Sequence, residues 1–116
     1  MVIPLMPGAV VWADLGDGVG REQSGRRPVV VISTVDHLAL ADQLVSVVPS
    51  TSVDRAWPNH VELEGETGLK RPTFAMTEQP RAISRSRLHR YSGVVSDACL
   101  SDIATWVDDW LVRPAA

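Results

Sequence analysis

The sequence is nearly without cysteine. Cys99 is the only one in 116 residues, which excludes an internal disulfide framework and any cysteine-rich metal site. Histidine is scarce as well. His37, His60 and His89 stand far apart with no HxH, HExxH or CxxC spacing, so no metal and no cofactor are expected. Each histidine reads as structural or solvent-facing, and the sequence has no GxSxG elbow. No apolar run approaches the roughly 20 residues of a membrane helix. The N-terminus carries Pro4 and Pro7 and no basic stretch, a poor signal peptide. Repeats, linkers and low-complexity segments are missing too. These absences leave one reduced, cytoplasmic domain spanning 1–116 and touching no membrane. Its composition, 45% hydrophobic and 22% charged, is that of a globular chain.

The net charge is −3, which taken whole points away from a nucleic-acid partner. By segment the picture changes. Residues 1–27 are neutral, 28–69 carry −5, 70–90 carry +5 and 91–116 carry −3. The positive charge is almost all arginine. The plain reading is a solvated, salt-bridged surface. Arginine forks, however, suit phosphate and carboxylate better than lysine does.

Strands are predicted at Ala9–Leu15, Pro28–Ser33, Gln43–Pro49, Asn59–Glu64, Thr73–Thr77 and Tyr91–Val95. The unbroken apolar run from Pro28 suits a strand buried on both faces. The alternation after Asn59 places Val61 and Leu63 inward, with His60, Glu62 and Glu64 outward. Residues 34–42 are a connection with room for one helical turn, and 81–90 read as a short strand plus a turn. One segment is clearly helical. Ser96 caps it, Asp97 suits its positive end, Leu100, Ile103, Val107, Trp110 and Leu111 share a face, and Pro114 stops it. Cys99 reads as a small buried hydrophobe on this helix. The fold class is mainly β with a C-terminal helix, a small, strongly bent antiparallel sheet or SH3-like barrel.

Gly16-Asp17-Gly18-Val19-Gly20 imitates a phosphate loop, but Arg21 stands where the third glycine would fall and a strand follows instead of a helix. The segment is expected to be a mobile loop presenting Arg21, Glu22, Arg26 and Arg27. Three polar sets, Glu22–Pro28, Ser50–Ser52 and Glu78–Ser84, each lie at a strand end and are expected to meet at one rim. Arginine, carboxylate, hydroxyl and amide without metal suit phosphodiester chemistry on RNA, which brings its own nucleophile, the 2′-OH. Arg27 suits the phosphate, Thr51 donates to a phosphate oxygen, and Glu22 is the better base, since arginine stays protonated. Trp57, in the loop after Thr51, is either a base-stacking residue or a loop anchor.

These residues make the chain similar to the MazF/PemK toxins of type II toxin–antitoxin pairs, nearly end to end. Gly8–Leu15 is like the family's opening strand. Gly20-Arg21-Glu22-Gln23-Ser24-Gly25-Arg26-Arg27-Pro28 resembles its long G-x-E-Q-x-G-x-R-P signature. Val48–Ser52 and Glu78–Ile83 are similar to its V-P-x-T-[ST] turn and its E-Q-x-R segment. The resemblance implies an SH3-like homodimer that cleaves single-stranded RNA at selected sequences without metal, leaving 2′,3′-cyclic phosphate and 5′-hydroxyl ends. By position the family's catalytic arginine falls on Arg27, its catalytic threonine on Thr51 and its conserved-motif glutamate on Glu22, the candidate base, while Gln79 falls at the segment lining the same groove. The expected RNA-binding set is Arg21, Arg26, Ser52, Trp57, Gln79, Arg81, Arg85 and Arg87. The implied partner is an antitoxin with an acidic, disordered C-terminal segment that lies along the same groove. Arg26 beside Arg27, and Ser50 where an apolar residue or cysteine is common, depart from the pattern and are placed to alter which sequence is cut. The alternatives are a CcdB-like gyrase poison, which needs no Glu22–Arg27–Thr51 set, and a non-catalytic RNA-binding module, for which exposed aromatics are few.

Overall fold

Valine crowds the N-terminal half of the chain, and β-branched side chains favour the pleated, extended backbone. The computed structural model describes residues 3–112 and 114. In chain order it contains β1 (Ala9–Asp14), β2 (Arg26–Val31), α1 (Val35–Leu40), β3 (Leu44–Thr51), β4 (His60–Glu62), β5 (Gly65–Glu66), β6 (Phe74–Met76), β7 (Arg81–Ser84), a 3-10 turn (Arg85–Arg87), β8 (Leu88–Val95) and α2 (Asp97–Trp110).

Every strand pairing is antiparallel. The strands run β4-β6-β3-β2-β1-β8-β5, with β7 also on β3. The first and last of that order, β4 and β5, are consecutive in the chain, with only Leu63 and Glu64 between them. The sheet therefore curls until its two ends meet, which is the small bent barrel the sequence predicts. The outer side of β3 is divided: Leu44–Val47 pairs with β7, and Ser50–Thr51 with β6.

Two-residue periodicity divides the core. Val11, Val29, Val31, Val45, Val47 and Ile83 lie in one cluster. Val10, Val30 and Val48 face the other way, onto Val61, Ala75 and the helix. β2 is thus buried on both faces, as its unbroken apolar run implies, and each fully buried valine stabilises the fold by about 1.5–3 kcal/mol. Ser96 caps α2, its Oγ accepting from the Cys99 N–H at 3.2 Å.

Several details differ from the sequence reading, among them the unpredicted short strand β5 and the start of β2 at Arg26. The face α2 buries is Cys99, Ile103 and Val107, with Leu100 and Trp106 partly covered, whereas Trp110 and Leu111 are exposed. The helix stops at Trp110, where Leu111 turns to extended backbone, and not at Pro114; Arg113, Ala115 and Ala116 lie outside the described residues. β8 starts at Leu88, three residues before the predicted Tyr91. His60 does not point outward: it is 7% exposed, and its Nε2 lies 3.0 Å from both oxygens of Glu78. The alternation from Val61 to Glu64 holds, and His60 alone departs from it because Glu78, in the turn after β6, covers the outer side of β4 at that position.

Candidate active site

The chemistry gathers where β3 parts from β2 and continues beside β6. β2 continues back past the β3 pairing to Pro28 and Arg27. Ser50 Oγ donates to the Pro28 carbonyl at 2.6 Å, satisfying an acceptor that the ladder has left. In a strand a residue's N and C=O point to the same side, so the N–H that proline lacks would have faced the same gap. Ser50 is 0% exposed. Its hydroxyl is committed inside the fold to that carbonyl, at the edge of the cleft it helps to line.

Next to it, Thr51 is 4% exposed, and its Oγ1 accepts from the Val53 N–H at 3.1 Å. The hydroxyl proton is left to donate. Arg27 is half-buried. Its Nε donates to the Ser24 carbonyl at 2.8 Å, and among the described residues its two Nη groups have no partner. The free end of the guanidinium is therefore held in place by its own third nitrogen.

A cleft of about 560 Å³ opens over these groups. Its walls come from β1 (Trp12), β2 (Arg26, Arg27), β3 (Thr51), the segment Gly68–Thr73 and β8 (Arg90, Tyr91). Five cations line it, Arg26, Arg27, Lys70, Arg71 and Arg90, and no carboxylate does. Among the described residues none of the five forms an ion pair. Arg90 lies over the Trp12 ring, 5.0 Å from its centre. Gly68 lets the lining chain approach β8: its φ is +72°, and a Cβ there would collide with the Ser92 carbonyl.

Arg26, Arg27, Thr51 and Ser52 from the predicted set therefore meet in one place. Glu22 is exposed on the β1–β2 loop and does not line the cleft. That loop is tied down more than its glycines suggest. Gly25 and Gly16 pair at its neck, and Gln23 Nε2 donates to the Ser50 carbonyl at 3.1 Å. Gln79 reaches the same loop: its Oε1 accepts from the Gln23 N–H at 2.8 Å, and its Nε2 donates to the Arg21 carbonyl at 3.0 Å. Glu78 faces away, towards Asn59 and His60.

The other predicted residues lie apart from the cleft. Arg85 donates to the carbonyls of Leu38, Ala41 and Leu44 at 2.6–3.1 Å, fastening the end of α1 to β3. Arg87 donates to the Asp14 carbonyl at 3.2 Å. Arg81 pairs with Val47, at the other half of β3. Trp57 is 42% exposed, with its ring 4.7 Å from that of His60 and Arg55 6.0 Å from its centre. Sequence reasoning missed Lys70, Arg71 and Arg90, although the +5 segment contains all three. Among the described residues no group of three or more His, Cys, Asp or Glu side chains is placed to hold a metal ion, and no helix is long and apolar enough to cross a membrane.

The sequence matches the family model described as PemK-like, MazF-like toxin of type II toxin–antitoxin system over residues 6–111. It is 37% identical to the endoribonuclease MazF9 of Mycobacterium tuberculosis over 100 residues, covering 80% of this chain and 85% of that one. It is 34% identical to the endoribonuclease EndoA of Bacillus subtilis over 83 residues, covering 70% and 72%. Its fold is similar to that of MazF from Deinococcus radiodurans, with a TM-score of 0.79 at 24% identity over 94% of this chain and 96% of that one.

Proposed function

The chain belongs to the PemK-like, MazF-like toxins, and from that premise we propose that it is an endoribonuclease toxin cutting single-stranded RNA at selected sequences. The observation that carries this reading is the cleft: five cations without a carboxylate partner, set around a buried threonine hydroxyl and the free fork of Arg27. Like charges crowded together destabilise a fold unless an anion comes to them, and a phosphodiester backbone is such an anion.

In this mechanism the Glu22 carboxylate, carried on the exposed β1–β2 loop outside the cleft lining, takes the proton of a ribose 2′-OH that the bound RNA brings to the rim. The 2′-oxygen attacks the adjacent phosphorus, and the bond to the 5′-oxygen breaks. The products are a 2′,3′-cyclic phosphate and a 5′-hydroxyl, whose proton comes from water. Arg27 grips the non-bridging oxygens with its two Nη groups, and Thr51 donates its hydroxyl to one of them, so both stabilise the charge of the pentacoordinate phosphorane. No metal takes part. Arg26, Ser52, Lys70, Arg71 and Arg90 hold the flanking phosphates.

The whole chain, 1–116, acts as one toxin domain in the cytoplasm, as a homodimer. Its partner is a cognate antitoxin whose acidic, disordered segment lies in the same cleft. Solved relatives include a MazE–MazF complex from Deinococcus radiodurans, at 23% identity and a TM-score of 0.73 over 94% of this chain and 96% of that one. The test is cleavage of a defined RNA pool in a strong chelator. The wild type is expected to cut, and Arg27→Ala to lose about 10²–10³-fold or more, the scale of removing one donor to a developing oxyanion, with its fold intact by circular dichroism. Full activity in that variant, or strict dependence on added metal, would overturn the mechanism.

A further inference from the structure

Gln79 carries two hydrogen bonds that bracket one residue. Its carboxamide oxygen accepts from the N–H of Gln23, and its nitrogen donates to the C=O of Arg21. The residue between them is Glu22. The two backbone groups have opposite polarity, so they fix the orientation of the amide, and both ends of the side chain are committed. A glutamine held in this way has little left for reading a base edge.

The platform beneath Gln79 is firm. Its N–H donates to the Met76 carbonyl at 3.0 Å. The Thr77 hydroxyl donates to the Asn59 carbonyl at 2.7 Å, and Asn59 and His60 hold the Glu78 carboxylate at 2.9 and 3.0 Å. The loop has fewer anchors of its own at this point. Glu22 has only a turn bond, from its N–H to the Val19 carbonyl at 3.2 Å. The Gln23 side chain then continues the chain of contacts to the Ser50 carbonyl, one residue from Thr51.

We propose that Gln79 is a positioning residue for Glu22. It clamps the peptide groups on either side of Glu22 and so sets where the carboxylate stands relative to Thr51 and Arg27. This rests on the nuclease reading for its consequence in catalysis, though not for the clamp itself. A general base must lie within hydrogen-bond reach of the proton it takes, and a misplacement of about 1 Å costs about 10²-fold.

The experiment uses the full chain with Gln79→Ala, Gln79→Glu and Glu22→Ala, alone and combined. Amide hydrogen exchange over residues 21–25 reads the clamp without any RNA. In Gln79→Ala, exchange there is expected to accelerate about 10-fold or more while the barrel strands keep their protection. Cleavage is expected to lose about 10-fold in kcat with KM within about 2-fold, since the loss concerns the transition state. Gln79→Glu keeps the acceptor for Gln23, loses the donor for Arg21 and falls between. In the Glu22→Ala background Gln79→Ala is expected to cost nothing further. Unchanged exchange in Gln79→Ala overturns the clamp. A loss confined to KM, or an undiminished loss without Glu22, overturns the positioning role and assigns Gln79 to RNA contact. A wild type that cuts no RNA removes the nuclease reading, while the exchange result still decides the clamp.

Discussion

Two clefts among the described residues have nearly the same volume, about 560 Å³ over the end of β3 and about 510 Å³ between β4 and α2. The first is lined by five cations and no carboxylate. The second is lined by Glu62, Glu64 and Asp102 and by no lysine or arginine. Size does not distinguish them; charge and available donors do. The first also offers a threonine hydroxyl and an arginine fork at the floor. The second has Cys99 and the back of His60. The whole-chain charge of −3 averages two surfaces of opposite charge.

The sharpest way to break this contrast is to reverse charge on each side. Lys70→Glu with Arg71→Glu is expected to weaken RNA binding about 100-fold at low salt and to flatten its salt dependence, because fewer counterions are released. Asp102→Lys, the matched change in the other cleft, is expected to leave KM within about 2-fold. Equal effects in steady-state cleavage from the two variants would end the distinction. Arginines outside the cleft sharpen it. Arg85→Ala is expected to lower stability by about 1–2 kcal/mol in urea unfolding, through the carbonyls it leaves, while the folded fraction keeps its cutting rate. A large loss of rate per folded molecule would return Arg85 to the substrate.

The smallest effect belongs to the acidic side. Burial, and then the Glu64 and Asp102 carboxylates, push the Cys99 thiol above its ordinary 9.0. The fold therefore binds this proton more tightly than the unfolded chain does. The associated stability is full below pH 9 and fades as pH rises through the raised value. Alkylation of Cys99 at pH 8 is expected to be about 10-fold or more slower than for a free thiol, and fast once the chain is unfolded. Rapid labelling of the folded protein would contradict it.

The strands, the capped helix and the buried run of β2 were legible because each depends on local pattern. The site was legible in part. Arg27 and Thr51 stand in a long motif, and the structure brings them together. Arg85 and Arg87 belong to the same basic segment as Arg90, yet they serve backbone carbonyls. No pattern in one sequence distinguishes an arginine that fastens a turn from one that faces an open cleft, because the difference lies in which carbonyls the fold leaves unpaired. His60 was misread for a related reason: alternation assigns a face but does not say which face a later turn will cover. Gln79 was assigned to the groove by its motif, whereas its partners lie 56 and 58 residues away, beyond any local signal.

The cleft draws its walls from Trp12 at one end of the chain to Ser92 near the other. β8, which carries Arg90 and Tyr91, is the last strand made, and it pairs with β1, the first. The cleft therefore closes only when the two most distant strands of the sheet have paired. The loop-closure entropy of so distant a pairing must be paid before its contacts reward it, so a chain that lacks β8 has Arg27 and Thr51 but an open wall.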